Sequence, residues 1–191
     1  AEYPSGRRLR RPVLPPRVSR ALLIVVSGPA GSGKTTLCSR LTEAYPQAIR
    51  RVITCTTRAP RAGEADGADY HFLTRSSFEQ QVSAGVFLEH ATVHGNFYGP
   101  RAADVATHLG AGFDALLNVD VQGAATIRAK GAADPLLAAA LVVDEIDRRV
   151  AAAEEEIRHA GSYQHVIESG SREADFTALQ SIYLAEKARR P

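Results

Sequence analysis

Apolar residues follow two periods along this chain. Residues 21–27 (ALLIVVS) form a continuous apolar and β-branched run, the pattern of a strand buried on both faces of a parallel sheet. Beyond it Leu37, Cys38, Leu41 and Tyr45 recur at helical spacing. Residues 52–55 predict a short strand leading into a polar stretch, 56–72, dense in Gly, Pro, Arg and Asp, which reads as a loop or a pair of short strands. Residues 70–73 predict a strand, and Ser76 with Glu79 gives a capping-box signature for a helix running to about Ala84 and ended by Gly85. Residues 86–94 alternate as a strand does, with His94-Gly95-Asn96 as a turn before Phe97 and Tyr98. These short strands predict a small sheet-rich insertion, too polar to hold a core of its own.

A helix is expected over 101–109, then a second buried strand over 115–119 with Asp120 at its carboxyl end. Gln122 and Gly123 open a helix through about Ala129, and 136–143 should include a third core strand. From Asp144 the sequence DEIDRRVAAAEEEIRHA predicts a helix, with the run Glu154, Glu155, Glu156 as a solvated face. A last short strand is expected over 163–167, and Phe176, Leu179, Ile182 and Tyr183 fall at helical spacing in a C-terminal helix. Strands alternating with helices, without an internal repeat, imply a doubly wound α/β sheet.

Between the first strand and the first helix lies SGPAGSGKTT, residues 27–36. Gly28, Gly33, Lys34 and Thr35 satisfy G-x-x-x-x-G-K-[ST], with Gly31 between them, in the strand, loop, helix order that this pattern requires. Glycines let successive backbone N–H groups curl around an anion, and the helix adds the positive end of its dipole. Lys34 would neutralise β and γ oxygens, and the Thr35 hydroxyl would sit on Mg²⁺. The ATP-binding stretch is thus Gly28, Pro29, Ala30, Gly31, Ser32, Gly33, Lys34, Thr35 and Thr36, and the fold class is α/β of P-loop NTPase type. Farther on, Arg58 and Arg61 with Pro60 between them can form a guanidinium clamp, or lie as solvated surface charge. Asp120 stands where ligands bind in open parallel sheets, and could hold Mg²⁺ or a nucleotide hydroxyl, or simply cap the next helix.

Composition narrows the partners. The net charge of +2 is uneven: residues 1–20 carry six arginines and one glutamate, leaving 17 basic and 20 acidic residues beyond them. The high isoelectric point therefore belongs to a proline-rich, extended basic arm, and the folded part is mildly acidic, so nucleic acid is not the expected partner. No run approaches a membrane span and no signal-peptide pattern follows the basic start, which makes the cytoplasm the expected location. Cys38 and Cys55 form no C-x-x-C pair and read as small core hydrophobes.

Taken in order, GPAGSGKTT, TTRAPRAGEADGADYHF, FLEHATVHGNFYG and LLNVDVQGA closely resemble the guanylate kinase family over residues 22–189. The resemblance implies an ATP:GMP phosphotransferase using Mg²⁺, monomeric or homodimeric, with GMP held by Thr54, Arg58, Arg61, Tyr70, Glu89, Tyr98 and Asp120. Two arginines and two tyrosine hydroxyls suit a dianionic 5′-phosphate, and a carboxylate at Glu89 suits the N1–H and exocyclic amine donors of guanine. Thr35, and Asp120 through water, would meet the metal; Lys34, Arg149 and Arg148 would stabilise the transferring phosphoryl group. It further implies a core of 21–53, 103–143 and 160–191, a GMP-binding insertion of 54–102 and a lid remnant of 144–159.

The chain departs from the family pattern in four places. Asn118 replaces an acidic residue two positions before Asp120, Pro100 replaces a small hydroxyl residue, and Glu168-Ser169-Gly170-Ser171 replaces a turn richer in asparagine and aspartate. Between Val143 and Asp144 a proline-containing turn, a helix and a basic loop of the family are missing. Such a chain is either an active kinase whose natural form includes that stretch, or a catalytically impaired binding module of the kind that recognises phosphorylated peptides. A P-loop kinase for another acceptor is a third reading, opposed by Glu89 and Thr54.

Overall fold

The computed structural model describes residues 21–28, 31–131, 141–146, 164–168 and 170–189. Strands β1 (Leu23–Ser27), β2 (Ile49–Arg51), β7 (Asp114–Asn118), β8 (Leu141–Ile146) and β9 (His165–Glu168) form one sheet in the order β2-β7-β1-β8-β9, with every pair parallel. The apolar run of β1 is sorted by alternation into two cores. Leu22, Ile24 and Val26 face Leu37, Cys38 and Leu41 of α1 (Lys34–Ala44) and Leu179 and Tyr183 of the C-terminal helix. Leu23 and Val25 face Val105 of α3 (Ala102–Gly110) and Ala124 and Ile127 of α4 (Val121–Gly131). Helices thus cover both faces, which is why β1 has no polar residue before Ser27.

Asp114 ties the amino end of the sheet to the C-terminal helix, α5 (Arg172–Arg189). Its carboxylate is 1% exposed and accepts from the Leu22 amide at 2.8 Å, the Tyr183 hydroxyl at 2.9 Å and Lys187 Nζ at 3.0 Å. Three donors satisfy a buried charge that would otherwise be strongly unfavourable. At the opposite, carboxyl end, Val26 pairs with Asn118 and Ser27 with Asp144 in register, so β1 and β7 end together beside the loop that follows β1, while β8 runs on to Ile146.

A second sheet stands on the insertion: β3 (Thr54–Thr56), β4 (His71–Phe72), β5 (Ala91–Val93) and β6 (Asn96–Pro100), in the order β4-β3-β6-β5. The β5–β6 hairpin turns through His94 (φ 48°) and Gly95 (φ 77°), both left-handed as a two-residue turn between twisted strands requires. Contrary to the expectation of no core here, Cys55, Phe78 and Phe87 are buried together, with Leu73, Val82 and Phe97 against them. Phe78 stacks on Phe87 at 4.3 Å between ring centroids. The aromatic residues come from three separate segments, so no local pattern announces the cluster.

Several boundaries move. Residues 49–51 form a strand that the sequence pattern does not predict, because IRR carries no strand signal and becomes one by pairing with β7. Helix α2 (Arg75–Ser83) is capped by Thr74, whose side chain accepts from the Ser77 amide, and not by Ser76; Glu79 pairs instead with Arg75. Of the strand expected over 86–94 only Ala91–Val93 forms, with an isolated bridge from Phe87 to Arg101. Residues 144–146, expected to start the lid helix, continue β8 alongside β1 and β9. The basic arm (1–20), Pro29, Ala30, Arg148, Arg149 and the rest of the expected lid (147–159) lie outside the described residues.

Candidate active site

The loop after β1 turns on glycines held where other residues are strained: Gly31 has φ 84° and Gly33 φ 111°. Gly33 is the N-cap of α1, so no side chain caps that helix and its first turn holds no acidic residue. A helix start without a side-chain cap and without an acidic first turn suits an anion. Lys34 opens the helix, followed by exposed Thr35 and Thr36. The Thr35 hydroxyl accepts from Asn118 Nδ2 at 3.2 Å, which links it to the end of β7. Asn118, a departure from the family pattern in sequence, therefore orients the very hydroxyl expected on the metal.

Strand alternation divides the insertion sheet into two faces. Cys55 and Gly99 are paired and turn toward Phe87, while Thr56 with Tyr98 and Thr54 with Pro100 turn the other way. On that second face lie the residues expected to grip a phosphate. The Arg58 guanidinium sits over the Tyr70 ring at 5.3 Å, and Tyr70 meets Tyr98 edge to face at 6.1 Å. Arg58 Nη2 reaches Glu64 Oε1 at 2.8 Å and Oε2 at 2.9 Å, and Nη1 donates to the Ala59 carbonyl at 2.7 Å. Glu64 Oε2 also accepts the Arg61 amide at 2.7 Å, while the Arg61 side chain is exposed. The hydrogen bond to Glu64, with a smaller contribution from Tyr98, raises the Arg58 pKa; the same bond lowers that of Glu64. The two arginines do not form a symmetrical clamp: one is locked and the other reaches out.

Sequence reasoning misses Glu64. A signal for it exists, an acid three residues after Arg61 in a Pro- and Gly-containing turn that must fold back.

Glu89 occupies the segment between α2 and β5 and is 4% exposed. Among the described residues its Oε2 is the one buried side-chain oxygen or nitrogen without a hydrogen-bond partner. Burial pushes its carboxyl up to about 7, with the Asp120 charge adding to the rise and Lys130 opposing it. An orphaned acceptor at an expected base-reading position is what a ligand with two donors would satisfy. Asp120 serves as the cap of α4, its Oδ1 accepting from the Gly123 amide at 2.7 Å. Helix capping, the simpler of the two roles considered for it, is thus real, and its second carboxylate oxygen is not used in that bond. Cys38 and Cys55 are buried as expected, and burial raises the Cys55 thiol to about 11, which keeps it inert.

Comparison with known proteins agrees with the fold and points to one family. The sequence profile described as Guanylate kinase matches residues 20–138, a span that ends before β8. A guanylate kinase of Ruegeria sp. (strain TM1040) is 39% identical over 189 residues, covering 90% of this chain and 87% of that protein. One of Anaeromyxobacter dehalogenans is 41% identical over 186 residues, covering 88% and 82%. The crystal structure of guanylate kinase from Anaplasma phagocytophilum superposes with a TM-score of 0.72 at 30% identity, covering 88% of this chain and 87% of that one. This chain belongs to the guanylate kinase family.

Proposed function

We propose that the chain transfers the γ-phosphoryl group of ATP to the 5′-phosphate of GMP, with one nucleotide held by the loop after β1 and the other by the insertion. The loop of 28–36 with Lys34 takes the ATP phosphates, and the insertion of 54–102 takes GMP. Arg58, Arg61, Tyr70 and Tyr98 hold the acceptor phosphate, and Glu89 with Thr54 reads guanine. The observation that carries the acceptor assignment is the buried, unpaired Oε2 of Glu89. Guanine offers N1–H and an amine side by side, whereas adenine presents an acceptor at N1, so a carboxylate there accepts one base and repels the other. The GMP phosphate oxygen is already ionised at neutral pH, so no general base is required and catalysis is positioning and charge neutralisation.

Mg²⁺ fits the residues present. It is a hard cation that keeps waters and substrate phosphates as ligands and needs few from the protein. No group of three or more His, Cys, Asp or Glu residues is clustered for a metal among the described residues, which suits an ion brought by ATP and met by the Thr35 hydroxyl. Asp120 would act through water. When bound, the ion supplies charge neutralisation on the β and γ oxygens; Lys34 and two arginines outside the described residues, Arg148 and Arg149, add to it. No helix among the described residues is long and apolar enough to cross a membrane, and the cytoplasm, with its reduced thiols, is the proposed setting.

Lys34→Ala tests the phosphate cradle. Turnover should fall by about three orders of magnitude, as for loss of charge stabilisation at a transferring phosphoryl group. GMP affinity, measured separately by calorimetry, should stay within about twofold, because GMP is held on the insertion. Near-normal turnover would remove Lys34 from the mechanism.

A further inference from the structure

Glu89 is held between two glycines. An added Cβ at Gly99 would come within 2.9 Å of the Glu89 carbonyl oxygen and 3.1 Å of the Phe87 ring. An added Cβ at Gly123 would come within 2.9 Å of Glu89 Cδ, Oε1 and Oε2 alike. The first contact supports the main chain and the second supports the carboxylate. Gly123 is itself fixed, since its amide donates to Asp120 Oδ1 at 2.7 Å in the first turn of α4. At the far end of the same helix Lys130 Nζ donates to the Leu88 carbonyl at 2.9 Å, and the Leu88 amide donates to the Pro100 carbonyl. One core helix therefore sets both the backbone before Glu89 and the position of its side chain.

We propose that Gly123 is a specificity-positioning residue: its lack of a side chain leaves the place against α4 in which the guanine-reading carboxylate of Glu89 is seated. This deepens, and rests on, the reading of Glu89 as the guanine reader. Both carboxylate oxygens and Cδ lie close to the position of the missing Cβ, so no rotation of the terminal group alone relieves the contact; the side chain must leave. What yields is the end of a flexible side chain and not backbone, so the fold tolerates the change while the site does not. Gly99 is the contrast, because a side chain there meets main chain and an aromatic ring, and it should cost stability first.

Four proteins decide it: Gly123→Ala, Glu89→Gln, Glu89→Ala and the double variant Glu89→Ala with Gly123→Ala, each measured for GMP affinity by calorimetry and for KM and kcat with GMP and AMP. Gly123→Ala should weaken GMP binding and raise the GMP KM by about tenfold or more, with a smaller effect on kcat and an unchanged KM for ATP. Because alanine favours a helix, its melting temperature should not fall much. In the Glu89→Ala background the same substitution should add nothing, since no carboxylate remains to be displaced. The pH at which GMP affinity changes should also move toward acid in Gly123→Ala, as Glu89 leaves its buried place between Asp120 and Lys130. Unaltered GMP affinity in Gly123→Ala, or an equal loss with and without Glu89, would overturn the proposal. Unaltered preference for GMP in Glu89→Gln would instead overturn the reading on which it rests.

Discussion

Arg58 and Glu64 are joined before any phosphate arrives, with Arg58 Nη2 at 2.8 and 2.9 Å from the two carboxylate oxygens. Glu64 also takes the Arg61 amide, so one acid fixes the side chain of the first arginine and the backbone of the second. A guanidinium has five donors in a rigid fork, and those not facing Glu64 and Ala59 remain to be presented to a phosphate. On the proposed assignment of Arg58 to the acceptor phosphate, the pair supports the acceptor site and does not plug it. Glu64→Ala should raise the GMP KM by about tenfold and leave the ATP KM unchanged. A lower GMP KM in steady-state kinetics would show that Glu64 competes with the phosphate.

The Glu89 carboxyl makes a prediction about pH. Its folded pKa of about 7 lies above the ordinary 4.5, chiefly through burial. Between those values the folded protein binds a proton that the unfolded chain does not, so protonation favours folding at acid pH. That contribution falls as pH rises from about 4.5 to about 7 and is gone above it, a change on the order of 3 kcal/mol. Glu89→Gln, which cannot ionise, should therefore melt higher than the parent at pH 8, with the gap closing toward pH 5, while losing preference for GMP. In the parent, GMP affinity should rise with pH through about 7, as the carboxylate form becomes populated. Guanosine, which has no phosphate to titrate, should show the same trend as a competitor. Thermal melts of the two proteins that run parallel across this range would contradict the account of Glu89.

At the other end of the sheet, Lys187 neutralises Asp114, which is buried with the Leu22 amide and the Tyr183 hydroxyl. Lys187→Met leaves a buried carboxylate without its cation and should cost on the order of 3 kcal/mol. For a chain of this size that is a fall of roughly 10 °C in melting temperature. Adding Asp114→Asn should recover part of the loss, because no buried charge is then left unpaired. Kinetic constants should not change, since Asp114 opens β7 and the nucleotide loop lies at the opposite ends of the strands. A kinetic defect as large as the thermal one would show that this end is coupled to the site.

The central elements are legible in the sequence because their signals are local. A doubly buried strand, a glycine loop and a helix with Leu37, Cys38 and Leu41 inward are adjacent in the chain. What is not legible depends on distant partners. Ile49–Arg51 has two arginines in three residues and becomes a strand only beside β7. Phe78, Phe87 and Phe97 make a core from a helix, a loop and a strand. Asp144 looks like the start of a helix because DEIDRR is polar and helix-favouring, yet pairing with β1 and β9 keeps it extended. In the proposed site, Lys34 and Thr35 are legible from spacing. Glu89 and Tyr98 are reached only through family resemblance, since a lone acid and a lone tyrosine carry no pattern. The seat of Glu89 on Gly123 needs coordinates, as 34 residues separate them in the chain and only the packing of α4 brings them together.

In the proposed reaction the site moves phosphate from ATP to a guanine nucleotide selected by Glu89. A coupled ADP-release assay with GMP, AMP, CMP and UMP as acceptors tests it most directly. ADP release should be rapid with GMP and about a hundredfold or more slower with AMP, CMP and UMP, as for a site that hydrogen-bonds its substrate's donors, and that preference should collapse in Glu89→Gln. Equal rates with all four acceptors, or no GMP-dependent ADP release at all, would contradict it.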